Sequence, residues 1–350
     1  MAAEPRVLLD GTPLLGARTG IGRYTASLAA ALAQHLDLRL IGFSARGARR
    51  LRALAPPGSR AVGPPVPARL LRKAWSRGPF PPVELLGGAA RVVHGTNFVL
   101  PPSRRAAGVV TVHDLAFLDD PRLAEPDLAA LVADSVRRAS VVCTPSAAVA
   151  AAVSARLAVE PAKIAVTPLG VDPEWFDAAP PSAEDRAARE IPSEYLLFVG
   201  ATGPRKGLPK LLEALHPGLP PLVVAGPGQP GPDGRALRTG YVPEAELRRL
   251  VAGASALVLP SRDEGFGLPV LEALACGVPV VCSDLPALRE VAGEQAAFAD
   301  PDDPVELRAA LHRALQDPPD ADLSRARAAE FTWEACAGRT LEAYRRATGG

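Results

Sequence analysis

Two glutamates in the second half of the chain, Glu264 and Glu272, have the residue type and spacing to bind a polar ligand. A predicted strand ends at Leu259, and residues 267–269 predict the start of a helix, because proline is common in the first helical turn. The amides of that turn and the helix dipole attract an anion. Both carboxylates can reach the same ligand, so the pattern suits a sugar nucleotide, with phosphate at the helix end and hydroxyls on the carboxylates.

Two cations follow another predicted strand, which covers residues 195–200. Arg205 and Lys206 lie in its glycine-containing exit, where fixed charges facing a diphosphate would neutralise the charge that grows on a leaving group. Tyr241 and Val242 precede a predicted helix in the same half. From the residues alone, an ordinary turn between a strand and a helix would have the same pattern.

The first half contributes a pair of glycines and a histidine. Gly20 and Gly22 precede a predicted helix over residues 23–36, and their amides can approach a diphosphate closely because glycine has no side chain. His113 follows a predicted buried strand over residues 108–112. Lone histidines are often structural, so its position at the end of a strand is what makes it a candidate.

Residues 16–22 also match the glycine spacing of short-chain dehydrogenases. Two observations count against a nicotinamide-dependent oxidoreductase. The glycines begin several residues after the first predicted strand ends at Leu9, whereas a dinucleotide turn follows its strand at once. Those enzymes also need a lysine four places after a tyrosine, and the residues at that spacing from the four tyrosines are Leu28, Val199, Ala245 and Thr348.

The scaffold that must position these candidates is predicted to be an alternation of strands and helices. The predicted strands include residues 7–9, 38–43, 91–94, 108–112, 140–144, 164–166, 195–200, 222–225, 256–259 and 278–282. Such alternation indicates an α/β fold with parallel sheets covered on both faces. Residues 178–194 are rich in proline and charge and are the predicted linker between two doubly wound units, which bind ligands at the carboxyl ends of their strands.

Composition limits the class of protein. The chain has 350 residues, 48% of them hydrophobic, which is enough for two cores. No stretch reaches the roughly 18 apolar residues that a membrane helix needs. Residues 1–10 already carry charges, so we expect no signal peptide. The four cysteines lack metal-ligand spacing, and we expect a cytoplasmic protein with reduced thiols.

Charge is divided unevenly along the chain. Residues 1–180 carry 21 Lys/Arg and 14 Asp/Glu, whereas residues 181–350 carry 18 and 24. Residues 38–83 contain ten basic residues and no acidic one, so we expect this stretch to meet an anionic membrane surface or the acceptor of a reaction. Arg49, Arg50 and Arg52 are the acceptor candidates. A solvated face beside the proline-rich residues 56–82, which we expect to be irregular, would show the same composition.

These motifs resemble family 4 of the retaining glycosyltransferases. Glu264 and Glu272, eight positions apart, match its E-x7-E motif, and the flanking residues 265–269 and 273–284 match as well. The run from Thr19 to Tyr24 is similar to mannosyltransferase-like members. The resemblance implies the GT-B fold, in which two Rossmann-like domains face a deep cleft. It implies domains at residues 1–180 and 181–332, with a last helix, about 333–350, that joins the first domain.

The resemblance also implies roles for individual residues. Glu272 would bind the ribose hydroxyls, Glu264 the donor sugar near its 3-hydroxyl, and His113 the same sugar near its 6-hydroxyl. Arg205 and Lys206 would clamp the diphosphate, with one cation fewer than in many relatives. Asn97 lies in a segment similar to the second cleft loop and is a further acceptor candidate. The other implied donor contacts are Gly20, Gly22, Gly200, Tyr241, Val242, Gly265, Phe266, Gly267 and Leu268.

The implied reaction is the transfer of a hexose with retention, without a metal or another cofactor. Mannose from GDP-mannose is the expected donor, with UDP-sugars as the alternative, and the acceptor would be a glycan, a lipid-linked molecule or a small molecule. Nucleic acid is not an expected partner. Two other functions stay open: a sugar-nucleotide epimerase on the same fold, and a non-catalytic protein of that fold that holds a partner enzyme.

Overall fold

The computed structural model describes residues 6–16, 20–45, 47–120, 127–227, 231–233 and 236–349. The chain forms two compact units. Unit 1 comprises Met1–Gly170 together with Trp333–Gly350, and unit 2 comprises Val171–Thr332.

Unit 1 is built on a parallel sheet. Its strands are β1 (Val7–Asp10), β2 (Leu38–Ile41), β3 (Arg60–Val62), β4 (Val92–Gly95), β5 (Ala107–Thr111), β6 (Val141–Thr144) and β7 (Ile164–Val166). Over the described residues, these seven strands pair in the order β3-β2-β1-β4-β5-β6-β7, and every pair is parallel. Its helices up to residue 170 are α1 (Gly20–Leu32), α2 (Gly47–Leu54), α3 (Ala68–Trp75), α4 (Glu84–Gly87), α5 (Ala116–Asp119), α6 (Leu128–Arg138) and α7 (Ala147–Leu157).

Unit 2 repeats this design. Its strands are β8 (Leu196–Val199), β9 (Leu222–Ala225), β10 (Gly231–Asp233), β11 (Ala236–Gly240), β12 (Ala256–Leu259), β13 (Val280–Ser283) and β14 (Ala297–Ala299). In the described part they pair in the order β10-β11-β9-β8-β12-β13-β14, and β10 with β11 is the antiparallel pair. Its helices are α8 (Ala183–Ala188), α9 (Leu208–Ala214), α10 (Glu244–Ala252), α11 (Leu268–Cys276), α12 (Pro286–Ala292), α13 (Pro304–Gln316) and α14 (Ala321–Ala329).

The strands are short apolar runs because both faces of each sheet are covered by helices. Val93 and Val110 of unit 1, and Leu196 and Val258 of unit 2, are at most 1% exposed. The predicted α/β class, with two doubly wound sheets, is therefore confirmed.

The C-terminal helix, α15 (Trp333–Thr348), packs in unit 1 against α1 and the sheet. Tyr344 near its end is 4% exposed, and its hydroxyl lies 2.7 Å from His94 Nδ1 at the end of β4. The last helix thus belongs to the core of unit 1, although unit 2 separates it from the rest of that unit in the sequence.

The boundary between the units lies before the position given by the sequence. Residues 171–180 belong to unit 2, because the amide of Val171 donates to the carbonyl of Phe331 at 3.0 Å and Cys276 Sγ lies 3.3 Å from the carbonyl of Trp175. The expected linker, residues 178–194, contains α8, whose first turn is closed by a capping box between Ser182 and Asp185.

The proline-rich residues 56–82 are more regular than we expect from eight prolines. They contain β3 and α3, and α3 begins directly after Pro67. Proline is tolerated at a helix start, where no intrahelical partner exists for its missing N–H, so prolines before a helix need not break it.

Each sheet has a point where the strand order reverses direction. In unit 1 this topological switch point lies between β1 and β4, and in unit 2 it lies between β8 and β12. The loops that leave such strands diverge at their carboxyl ends and leave a crevice, which is where doubly wound sheets bind ligands. We therefore expect one ligand-binding site in each unit, at its switch point.

Candidate active site

Two loops of unit 2 meet at its switch point. One follows β8 and contains a short 3-10 helix, Pro204–Lys206, and the other follows β12. The amide of Arg262 donates to the carbonyl oxygen of Arg205 at 2.8 Å. At Gly207, where φ is +69°, a β-carbon would lie 1.8 Å from the carbonyl oxygen of Pro260, so only glycine allows this approach.

This approach brings Lys206 against Glu264. Lys206 Nζ lies 2.5 Å from Glu264 Oε1, and the hydroxyl of Ser261 donates to the same oxygen at 2.8 Å. The side chains of Lys206 and Glu264 are only 18% and 11% exposed, so the attraction between their charges is weakly screened. A lysine, a glutamate and a serine from two loops thus form one polar cluster, which we call the Lys206–Glu264–Ser261 cluster.

A second cation lies in the same pair of loops. Arg205 Nη1 donates to the carbonyl oxygen of Asp263 at 3.1 Å and lies 3.5 Å from Asp263 Oδ2. Its side chain is about a quarter exposed. Both residues of the predicted Arg-Lys pair are therefore fixed by the loop that precedes α11.

Helix α11 follows this loop, as the sequence predicts. Gly267 occupies its N-cap position with φ +94°, a conformation that glycine adopts without strain. Gly265, Phe266 and Leu268 around it are buried. Glu272 lies in the second turn of the helix and is 3% exposed, which is unusual for a carboxylate.

The neighbouring strand ends are in close backbone contact. The amide of Gly200 donates to the carbonyl of Ala225 at 2.9 Å, and a β-carbon on Gly226 would lie 2.0 Å from the carbonyl oxygen of Gly200. After β11, Tyr241 is 59% exposed while Val242 is 6% exposed. This edge of unit 2 thus presents backbone groups and an exposed aromatic ring.

In unit 1, His113 is buried just beyond β5. Its Nε2 lies 2.8 Å from the carbonyl oxygen of Thr96, so Nε2 carries the proton and donates it. The rings of Tyr24 and Phe98 meet the imidazole edge to face, at 4.9 and 5.6 Å between centroids. Burial lowers the pKa of His113, although Thr96 and Asp114 oppose the shift. A neutral imidazole has Nδ1 as an acceptor, which can receive a hydrogen bond from a sugar hydroxyl.

A second buried histidine, His94, is held by hydroxyl groups on both sides. Nδ1 lies 2.7 Å from the hydroxyl of Tyr344, and Nε2 lies 2.8 Å from that of Thr111. Thr111 in turn lies 2.9 Å from the hydroxyl of Tyr24. Burial, with a smaller contribution from His113, lowers the pKa of His94 to about 3, so this ring is neutral at physiological pH.

The glycine candidates open the first helix of unit 1. Gly20 is exposed and Gly22 is buried in the first turn of α1. Residues 17–19, which include Thr19 of the mannosyltransferase-like run, lie outside the described residues.

The residues predicted to bind the acceptor do not lie together in unit 1. Arg49, Arg50 and Arg52 are exposed on α2, which packs inward through the fully buried Leu51. Arg46 of the same basic stretch lies outside the described residues. Asn97 follows β4 and lines a small cavity whose walls include none of the three arginines.

Thiol chemistry has no place in this site. Burial raises the pKa of the thiols to about 12, so they are protonated and weakly nucleophilic at neutral pH; this holds for Cys143, Cys276, Cys282 and Cys336.

Among the described residues, no three His, Cys, Asp or Glu side chains are grouped so as to hold a metal ion. In the same part of the chain, no helix is long and apolar enough to span a membrane.

Comparison with known proteins decides the family. Residues 193–317 match the family described as glycosyl transferases group 1, and residues 19–170 match the glycosyl transferase 4-like domain. O-antigen chain mannosyltransferase B of Escherichia coli is 32% identical over 284 residues, which span 73% of this chain and 74% of that protein. The chain belongs to the group 1 glycosyltransferases.

Other relatives of this glycosyltransferase match over a smaller part of their length. MMP alpha-(1->4)-mannosyltransferase of Mycolicibacterium hassiacum is 32% identical over 227 residues, covering 58% of this chain and 53% of that protein. Sucrose-phosphate synthase from Thermosynechococcus elongatus has the same fold, with a TM-score of 0.76 at 21% identity over 97% of this chain and 98% of that one. The predictions of a transferase and of the GT-B fold are therefore confirmed.

Proposed function

We propose that this glycosyltransferase transfers mannose from GDP-mannose to a sugar-containing acceptor, with retention and without a metal. The Lys206–Glu264–Ser261 cluster is the observation that carries the proposal, because it joins a cation for phosphate to a carboxylate for sugar hydroxyls. Both relatives described above are named as mannosyltransferases, which favours mannose as the sugar.

The diphosphate would be held by cations rather than by a metal ion. Arg205 and Lys206 provide two positive charges at one switch point, and each is already paired with an oxygen of the next loop. When the diphosphate binds, its oxygens replace those partners as the acceptors. Charge-assisted hydrogen bonds of this kind are about twice as strong as neutral ones, and they remain in place as charge develops on the leaving group.

The sugar and the nucleoside would be bound by the flanks of that cluster. Glu264, released from Lys206, would accept from a sugar hydroxyl, and Glu272 would accept from the ribose. The buried backbone of Gly265, Phe266 and Gly267 would supply amides, with Gly200 and Leu268 beside them. Tyr241 and Val242 would border the guanine. In unit 1, the family resemblance implies His113, Gly20 and Gly22 as further donor contacts.

The reaction would replace one bond at the anomeric carbon on a single face of the sugar. The bond from that carbon to the phosphate oxygen breaks, and a bond to the acceptor hydroxyl oxygen forms. The proton of that hydroxyl passes to the departing phosphate, so GDP carries away the electron pair and the proton. No side-chain nucleophile is required, since the fixed charges stabilise the leaving group.

Calorimetric titration with GDP, UDP and dTDP in EDTA tests this proposal. We expect tight binding of GDP alone, and loss of that binding in Glu272→Ala. Glu306→Ala, an exposed glutamate near the start of α13, is the matched control and should bind GDP as the wild type does. Binding that requires a divalent metal, or preference for UDP, would contradict the metal-free or the GDP part of the proposal. Consumption of GDP-mannose without an acceptor and without hydrolysis would indicate an epimerase instead, and no binding of any nucleotide would favour the non-catalytic function.

We also propose that the basic stretch of unit 1 contacts an anionic membrane surface that carries the acceptor. Leu70 and Phe80 are 62% and 68% exposed, and Arg69, Lys73 and Arg77 near them are exposed as well. Apolar side chains beside cations are the composition of an interfacial surface.

Cosedimentation with vesicles tests this contact. We expect binding to vesicles containing phosphatidylglycerol but not to pure phosphatidylcholine, and weaker binding for Phe80→Ser. Leu323→Ser in unit 2, at a residue that is 59% exposed, is the control and should not change binding. Equal binding to both vesicle types would rule out the charge component.

A further inference from the structure

A pair of histidines in unit 2 lies outside the loops of the candidate active site. His216 follows helix α9, and His312 lies in the third turn of α13. Their Nε2 atoms are 3.0 Å apart, and their ring centroids are 5.1 Å apart. Two residues that are distant in the sequence thus bring two metal-ligating nitrogens together, and the proposed reaction uses neither of them.

The pair lies at the amino-terminal edge of the sheet of unit 2. In a parallel sheet, the helix that follows a strand runs back along it, so the segment between that helix and the next strand lies opposite the ligand-binding loops. His216 lies in such a segment, between α9 and β9, whereas Lys206 and Glu264 follow the carboxyl ends of β8 and β12. The pair is therefore separate from the proposed donor site.

Buried neighbours hold the two rings in place. Leu215 precedes His216, Leu311 precedes His312, and both leucines are buried in the core of unit 2. The amide of Gly218 donates to His216 Nδ1 at 3.1 Å, and a β-carbon at Gly218 would lie only 2.9 Å from His216 Cε1. The two histidines themselves are half-buried, so an ion from solvent can reach their rings.

The hydrogen bonds assign the protons of the pair. His216 Nδ1 accepts from Gly218, so the neutral ring carries its proton on Nε2 and donates it to Nε2 of His312. His312 therefore presents a lone pair, and His216 presents one when its proton moves from Nε2 to Nδ1. Gly218 is exposed, so water can then accept from its amide. This rearrangement moves one proton within one ring and releases none.

The distance between the two nitrogens suits a transition-metal ion. Zinc–nitrogen bonds are about 2.0–2.1 Å long, so two nitrogens on a tetrahedral ion lie about 3.3 Å apart, and neighbouring nitrogens on a square-planar ion lie about 2.9 Å apart. The observed 3.0 Å lies between these two values. Imidazole nitrogen is a preferred ligand of zinc, copper and nickel, whereas calcium and magnesium prefer oxygen.

The nearest cation on the same helix is held by other groups. Arg308 lies one turn before His312, and its guanidinium donates to the carbonyl oxygens of Ala214 and Glu213 at 2.9 and 3.3 Å. These carbonyls belong to the C-terminal end of α9, which carries a partial negative charge. The charge of Arg308 is therefore partly compensated before an ion binds.

We propose that His216 and His312 bind one divalent transition-metal ion, Zn²⁺ or Cu²⁺, through their Nε2 atoms. Water would complete the ligand set, because no third His, Cys, Asp or Glu side chain is grouped with the pair in the described part of the chain. Two protein ligands make an exchangeable site, whereas structural zinc sites have four. The ion would join the end of α9 to α13 and stabilise unit 2 without taking part in the transfer reaction.

Calorimetric titration of the whole chain with zinc chloride, after removal of bound metal with EDTA and transfer to metal-free buffer, tests this inference. We expect one saturable site, whose affinity falls at least tenfold in His216→Gln and in His312→Gln, because each change removes one of the two ligands. His35→Gln, at an exposed histidine of unit 1, is the matched control and should bind Zn²⁺ as the wild type does. Calcium chloride should give no binding at this site.

Electron paramagnetic resonance with one equivalent of Cu²⁺ identifies the ligands directly. We expect the hyperfine splitting of two nitrogen ligands in the wild type and of one in each single variant. A histidine pair that only stabilises the fold would not give this signature. The wild-type spectrum tests the inference even where a variant fails to fold.

The outcomes separate this inference from the proposed function. Unchanged zinc affinity in the two folded variants, no saturable binding to the wild type, or a wild-type copper spectrum without two nitrogen ligands would each overturn the inference. GDP binding in EDTA, measured on the same variants, should stay within twofold of the wild type, because the pair lies far from the donor site in the fold. Absence of GDP binding in the wild type would instead overturn the proposed function.

Discussion

The two units have sheets that reverse direction at equivalent points, yet the side chains at those points differ in kind. In unit 2 the switch point holds a lysine and a glutamate in contact, together with Arg205 and the start of α11. In unit 1 it holds Asp10 and Asn97, with two buried neutral histidines on the neighbouring strand ends. The fold therefore determines where a ligand binds, and the loops determine which ligand it is.

The largest effect on the unit 2 site is expected at Gly207, because its lack of a side chain allows the two loops of unit 2 to touch. Gly207→Ala would place a β-carbon 1.8 Å from the Pro260 carbonyl oxygen at a positive φ. We expect unit 2 to lose about 2–4 kcal/mol of stability and GDP binding with it. Denaturant unfolding and calorimetry measure the two effects.

Gly203→Ala is the matched control for this change, because Gly203 lies in the same loop with φ −66° and nothing within 4 Å of its β-position. Its stability should stay within about 0.5 kcal/mol of the wild type. Equal losses in both variants would mean that the loop, and not the contact with Pro260, is the sensitive feature.

The charge difference between the switch points can be tested at Lys206. In Lys206→Ala we expect GDP affinity to fall by about 10- to 100-fold, because a hydrogen bond from a charged group is worth about 1.5–3 kcal/mol. Lys210→Ala, on the next helix, removes a lysine that pairs with Glu213 and should leave the affinity unchanged. Calorimetry with GDP measures the affinity of both variants. An equal loss of affinity in the two variants would mean that Lys206 acts only through the net positive charge of unit 2.

The buried histidine His94 of unit 1 predicts a dependence of stability on pH. The pKa of His94 is about 3 in the folded chain and about 6.5 when unfolded, so between these values the unfolded chain binds the extra proton. Stability should therefore fall as pH decreases from about 6.5 towards 3, by at most about 1.4 kcal/mol per pH unit for this group.

Urea unfolding at pH 5 and pH 7.5 measures this dependence. We expect His94→Gln to be less stable than the wild type at pH 7.5 but to lose less on acidification. His35→Gln, at an exposed histidine of unit 1, should behave as the wild type. An unchanged pH slope in His94→Gln would show that other groups carry the acid sensitivity.

The sequence predicted unit 2 more completely than unit 1, for physical reasons. Gly267 and Pro269 are local start signals, so α11 and the positions of Glu264 and Glu272 follow from neighbouring residues. The contact of Ser261 and Lys206 with Glu264 joins two separate loops, and a serine in a loop carries no signal of its own.

In unit 1 the residues that line the cavity beside Asn97 come from distant parts of the chain. Arg72 and Trp75 lie on α3, which the sequence does not predict because the surrounding prolines indicate an irregular segment. In the sequence, no feature distinguishes Asp10 from any other residue at the end of a strand. The two doubly wound sheets followed from the alternation of strands and helices, and the GT-B fold followed from the resemblance. The neighbours of Asp10 and Asn97 depend on strand order, which the alternation alone does not predict.

The docking of α15 on unit 1 has a consequence for synthesis. The hydroxyl of Tyr344 completes the hydrogen bonds of His94, and Trp333 lies beside Tyr24 at 6.4 Å between ring centroids. A ribosome makes all of Val171–Thr332 before it makes these residues. Domains generally fold in order as the chain emerges, but here the unit that begins first is completed last, after its neighbour has left the ribosome.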